Sequence, residues 1–206
     1  MDANPYAAPN ASLDPQAAVA AGPARVGLGP RLGAALIDYV VVAVIGLMLA
    51  NLVDSWFPGY LAEGMARQQA KMDPKVAAQM AAMTGVLKSV AKWSAGAGLA
   101  TLLYGLLEGL FGRALGKLVL GLRIADAEGR AASVGRLMGR MALKHCGTLL
   151  GMLGMVTGIF TIGEISRIPS LVMVGGFFLV LGRKRQALHD LAAKTAVYRN
   201  SDVIVG

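Results

Sequence analysis

Apolar residues in this 206-residue chain run in long blocks instead of recurring at helical or strand spacing, a pattern that predicts membrane helices. Residues 32–53, LGAALIDYVVVAVIGLMLANLV, contain a single charge, Asp38. About 20 apolar residues suffice to cross a bilayer, so a first span is predicted over residues 31–53. Pro30 suits its start, because the missing amide proton costs nothing there. Asp54, Trp56, Pro58 and Gly59 mark the exit, with Trp56 and Tyr60 as aromatic anchors. Residues 61–88 are rich in Ala, Met, Gln and Lys and predict two short helices parted by Pro74, in an extracytoplasmic excursion over 54–90. A second span is predicted over 93–111, with Glu108 as its only charge.

Residues 112–145 carry seven basic residues (Arg113, Lys117, Arg123, Arg130, Arg136, Arg140, Lys144) against Asp126 and Glu128. Within them LVLGLRIADAEGR reads as an extended stretch ending in a turn. SVGRLMGRMALKH is amphipathic and is expected to lie on the membrane surface. Residues 146–163 are uncharged, Glu164, Arg167 and Pro169 interrupt, and 168–182 are apolar again. That double block reads either as a hairpin of two short spans or as one span plus a re-entrant piece. The fold class expected is therefore all-α, a polytopic bundle of about four membrane helices with an amphipathic cytoplasmic helix. Residues 1–29, rich in Ala and Pro and without the basic and apolar regions of a signal peptide, read as a disordered tail. A membrane domain is expected over 30–199 and a short C-terminal tail over 200–206.

Composition strengthens the membrane reading: 55% of residues are hydrophobic and 16% charged, against about 25% charged in soluble domains. The net charge of +8 would favour nucleic acid in a soluble protein. Here the basic residues lie between and after the apolar blocks, so topology accounts for them and no nucleic-acid partner is expected. By the positive-inside rule the 112–145 loop, the C-terminus and the N-terminus all fall on the cytoplasmic side of the membrane. Anionic lipid is the expected partner of the basic loop. The single Cys146 excludes an intramolecular disulfide and a zinc framework, and no metal or cofactor is expected.

An acid inside a span is costly and raises a functional question. Asp38 lies about 10 Å beyond Arg31 along a helix, and Glu108 a comparable depth before Arg113. A second helix is expected to supply Asp38's partner, with Lys117, Arg123 and His189 as candidates. The set is read either as a site for a proton or monovalent cation or as a polar latch that fixes packing. Gly147, Gly151, Gly154 and Gly158 trace one helix face, and Gly105 and Gly109 do so on the second span. Small residues let membrane helices approach, within the bundle or in a homo-oligomer. GRALGKLVLGLR lacks P-loop spacing, and His189-Asp190 with only His145 besides is short of metal ligands, so no enzyme is expected.

PRLGAALIDYVVV, GRALGKLVLGLRIADAEGR and RQALHDLAAKTAVY, in that order, resemble the RDD family of bacterial membrane proteins, over roughly 30–198. The family's Arg and first Asp match Arg31 and Asp38, and its second Asp matches Asp190. The glycine–lysine segment is matched at Gly116-Lys117 and Gly121 to Arg123, with Ala114 where the family often has Thr. The resemblance implies a membrane protein for which cation/proton antiport has been proposed. It makes Asp38 a proton or cation ligand, Arg31 and Asp190 a cytoplasmic gate pair, and Glu108 a local addition; in a transport reading Glu108 or Lys117 would tune Asp38.

Overall fold

The computed structural model describes residues 23–56 and 59–204. The first 22 residues of the expected N-terminal tail, residues 57–58 of the expected exit, and the Trp56 and Tyr60 side chains lie outside the described part. Two long helices dominate, α1 (Leu28–Trp56) and α4 (Thr84–Phe111). They pack along each other and cross at small residues: a Cβ on Gly96 would collide with the Gly46 carbonyl and the Ala50 amide. Gly46 itself lies against the Ala97 backbone. Backbones this close are the packing mode of membrane helices, where lipid offers no hydrophobic drive to pair.

Between them run α2 (Tyr60–Gln69) and α3 (Pro74–Ala82). Pro74 opens α3 rather than breaking a helix, and Asp73 caps it by accepting the Lys75 amide at 2.8 Å. Beyond α4, Gly112 ends the helix in the left-handed conformation (φ 68°). There follow α5 (Leu115–Val119), β1 (Leu122–Asp126) and α6 (Val134–Lys144), the last capped by Ser133.

The C-terminal apolar block is a helical hairpin. Its first arm is α7 (Cys146–Thr157). At 12 residues it is about 18 Å long, short of the roughly 30 Å hydrocarbon core. Its second arm is α8 (Phe160–Ile165), α9 (Arg167–Phe177) and a 3-10 turn (Phe178–Leu181), continuous enough over Thr161–Leu181 to span. The turn falls at Gly158 (φ 70°), earlier than the charged interruption at 164–169 suggested. Glu164 and Arg167 pair with each other at 2.9 Å one turn apart, and Pro169 sits in the first turn of α9, where it is tolerated. Among the described residues, three helices are long and apolar enough to cross a membrane, with α7 a shorter fourth.

The chain closes with α10 (Leu188–Ala192), β2 (Thr195–Arg199) and a 3-10 turn (Asn200–Asp202). Here the all-α expectation is refined. β1 and β2 pair antiparallel, Leu122 opposite Arg199 and Asp126 opposite Thr195. The 23–27 segment docks on this ribbon, Val26 donating its amide to the Val197 carbonyl at 2.9 Å. Val26, Ala34, Leu122, Ile124, Leu137 and Val197 form its core. Residues 23–31, the 112–144 loop and the C-terminal segment thus gather into one cap at the end of the helix pair where α1 begins and α4 ends.

Candidate functional site: a buried ion network and an Asp38 cap

Two polar clusters sit where the cap meets the membrane helices. The larger joins α1, α4, α5, α6 and α10. Asp190 is fully buried and accepts from Arg31 Nη1 at 2.5 Å and Arg140 Nε at 2.7 Å. It also takes the Ala187 amide at 3.2 Å, a side chain in the first turn of α10 reaching back to cap it. Glu108 accepts from Arg140 Nη1 on one oxygen, and from Lys117 and Lys144 Nζ at 3.0 Å each on the other. Arg140 therefore bridges the two carboxylates. Its planar fork of donors suits that bridging role better than a lysine ammonium would.

The remaining donors are also placed. Arg31 donates to the carbonyls of Val26 at 3.0 Å and Arg185 at 2.8 Å, so the helix start holds both chain ends of the cap. Arg140 Nη2 meets His189 Nε2 at 3.1 Å. A guanidinium can only donate, so that imidazole nitrogen accepts and the ring proton belongs on Nδ1. Nδ1 is buried without a partner among the described residues. Burial, and then the Arg140 charge, push His189 down to about 3. Burial alone would raise Asp190, but the Arg140 and Arg31 guanidiniums more than reverse this and hold it well below the usual carboxylate range. Burial likewise opposes the charge on Arg140, and Asp190 and Glu108 outweigh it, leaving its pKa raised.

Asp38 belongs to a different cluster. Its Oδ1 accepts from the Tyr104 hydroxyl at 2.6 Å and from the Gly116 amide at 2.7 Å. The Tyr104 hydroxyl in turn accepts the Leu115 amide at 2.9 Å. Both amides are in the first turn of α5, whose own N-cap residue is Ala114, a side chain without an oxygen. The first four amides of any helix lack internal partners. Asp38 and Tyr104 supply from neighbouring helices the cap that Ala114 cannot. Gly116 permits the approach: a Cβ there would collide with the Ala34 carbonyl and stand 2.8 Å from Asp38 Oδ1.

Several expectations change at this level. None of Lys117, Arg123 and His189 partners Asp38. Lys117 turns to Glu108, His189 to Arg140, and Arg123 has no ion pair among the described residues. Asp38 and Glu108 lie at comparable positions along their helices and still stand in separate clusters, because Tyr104, one turn before Glu108, takes the face toward Asp38. The amphipathic pattern of SVGRLMGRMALKH puts Arg140 on a surface helix, yet it is 3% exposed and buried like Leu137. Arg140, Lys144 and Tyr104 were missed as site residues. For Tyr104, the one phenol among the apolar residues of its span was the available signal. Arg31 and Asp190, by contrast, are brought together as a pair. Gly105 and Gly109 seat Met141, His145 and Met138 around α6, while Gly147 and Gly154 seat Ser170, Ser166 and Gly163. Gly151 lies near Ser166, and Gly158 forms the turn.

A family model described as RDD family matches residues 25–194. No curated protein and no solved structure matches the chain. The match covers Arg31, Asp38, the Gly116-Lys117 segment and Asp190, and with them both clusters. The chain is an integral membrane protein and belongs to the RDD family.

Proposed function

We propose that the protein is a non-enzymatic scaffold or accessory subunit of a bacterial inner membrane, multi-pass with both termini cytoplasmic, whose Arg/Asp/Glu network is a structural latch. One observation carries this: all four carboxylate oxygens of Asp190 and Glu108 are already taken by protein donors, four of them cationic side chains. A transported cation would have to displace an arginine or lysine from a buried site, and breaking one buried pair costs about 3–5 kcal/mol. The basic face meets anionic lipid, and a second copy of the chain is a further partner.

A second reading, transport of a proton or monovalent cation at Asp38, is favoured by one feature. Asp38 has no cationic partner, and its Oδ2 accepts no hydrogen bond among the described residues. Two substitutions separate the readings. Asp38→Asn keeps an oxygen for Tyr104 and Gly116, so the latch reading expects normal abundance and thermal stability. Asp38→Ala uncaps α5 and is expected to cost about 1–2 kcal/mol. Reconstituted wild type is expected to show no Asp38-dependent proton or cation flux. A flux abolished equally by Asn and Ala, with Asp38→Asn fully folded, would establish transport and overturn the latch.

A further inference from the structure

Beside the Asp38 cluster the surface opens into a groove of about 570 Å³ at the cap end of α4. Its walls are Leu107, Leu110 and Phe111 of α4, Leu115 and Leu118 of α5, and Val134 at the start of α6. All six are exposed, Phe111 at 62% and Val134 at 53%. On a soluble protein so continuous an apolar surface would mark an interaction site. At the end of a membrane helix, acyl chains are what surrounds it.

The groove also has basic residues on its wall. Arg113 and Arg123 line it, no acidic side chain does, and each arginine is half-buried. Among the described residues neither guanidinium has a hydrogen bond or an ion pair. This stands out in a cap whose other partly buried cations, Arg25, Arg31, Lys117, Arg140 and Lys144, are all committed. Arg113 follows the span by two residues, which puts it at headgroup level. Two unpaired guanidiniums lining an otherwise apolar groove match a phosphodiester with attached chains. Arginine binds phosphate with a fork of donors, and a half-buried one gains more from it than a solvated one.

We propose that this groove holds one anionic phospholipid, its phosphate on Arg113 and Arg123 and an acyl chain along Leu110, Leu115 and Leu118. The proposal narrows the lipid contact suggested above to a single site. It does not depend on the latch, because neither arginine touches the ion network. Tyr104 lines the same groove, so a bound lipid would lie against the residue that holds Asp38.

The full chain in detergent, titrated with phosphatidylglycerol and separately with phosphatidylcholine and read by native mass spectrometry, tests it. Wild type is expected to retain phosphatidylglycerol preferentially. Arg113→Gln with Arg123→Gln should weaken that binding about fivefold for each arginine. Arg113→Lys with Arg123→Lys should retain most of it. The charge-matched pair Arg130→Gln with Arg183→Gln, outside the groove, should leave it unchanged, and glycerol phosphate should not compete. Equal binding of the two lipids by wild type would overturn the proposal, as would equal losses in the groove and control pairs. Competition by glycerol phosphate would overturn the lipid assignment. Abundance of the groove pair reads out the latch separately and should match wild type.

Discussion

At the residue scale, two structural demands meet at Gly116. Its amide must reach Asp38, and its missing side chain leaves room for the Ala34 carbonyl. Gly116→Ala is therefore expected to destabilise by about 1–3 kcal/mol through overpacking against backbone, which cannot give way as a flexible side chain can. Thermal unfolding in detergent checks this. Gly135→Ala, at a helical glycine with open space around its Cβ position, is the control and should be neutral or mildly stabilising. His189 makes the second residue-scale prediction. Its folded pKa of about 3 lies below the unfolded value of about 6.5. Between those values only the unfolded chain takes up the proton, so stability falls as pH drops from about 6.5 toward 3. His145, pushed down to about 4 by burial and then by Lys144, adds to the same slope. Asp190 works in the same direction, but only below its ordinary range near 4. His189→Gln should remove roughly half of the loss between pH 6.5 and 4.5, measured as the change in midpoint of thermal unfolding.

At the scale of elements, the network explains why a strongly basic helix, α6, sits against a membrane helix. Arg140 and Lys144 are one turn apart and both reach Glu108 of α4, while Gly105 and Gly109 clear the space for the Met138, Met141 and His145 side chains. Glu108→Gln leaves three cations around a neutral amide and is expected to cost about 3–5 kcal/mol. Pairing it with Lys117→Met removes one of the stranded charges. The double variant should then recover at least about 0.5 kcal/mol relative to the sum of the singles, in a cycle of unfolding midpoints. Additivity would mean that Lys117 and Glu108 do not share a site. Of LVLGLRIADAEGR, expected to be extended, Leu118 and Val119 instead finish α5, whereas LRIAD forms β1 and was legible because it leads into Glu128-Gly129, where Gly129 adopts a positive φ of 87°. Its partner strand was not legible. TAVYR is apolar enough to pair, but nothing local says so: in the fold Val197 packs into the cluster with Val26 and Leu122, and Tyr198 packs on the opposite face with Ala125 and Val203.

For the whole molecule, the arrangement of the cap yields a topological prediction. Arg31 bonds to Asp190, β1 pairs with β2, and Val26 joins Val197, so the N-terminal segment, the basic loop and the C-terminal segment must share one side. With Cys146 replaced by Ser, single cysteines at Ser133 and Ser201 should be labelled from one face of the membrane and one at Lys71 from the other. Labelling of Ser133 and Ser201 positions from opposite faces would dismantle the cap. The long apolar blocks, the basic loop and the order of motifs already determine a membrane protein of the RDD family, because crossing a bilayer demands length and continuous hydrophobicity, both local properties. The Arg31–Asp190 pairing could be anticipated from the family resemblance. What Asp38 faces could not, since a helix face becomes an address only when its neighbours are placed. The tertiary structure decided that the lone acid of the first span meets a phenol and a backbone amide rather than a cation. It decided too that Lys117, offered by sequence spacing to Asp38, and Arg140 and Lys144, expected on a surface helix, converge instead on Glu108 and Asp190. The physical reason is that burial and charge compensation are sums over groups far apart in sequence, and only the folded chain brings those groups within range of one another.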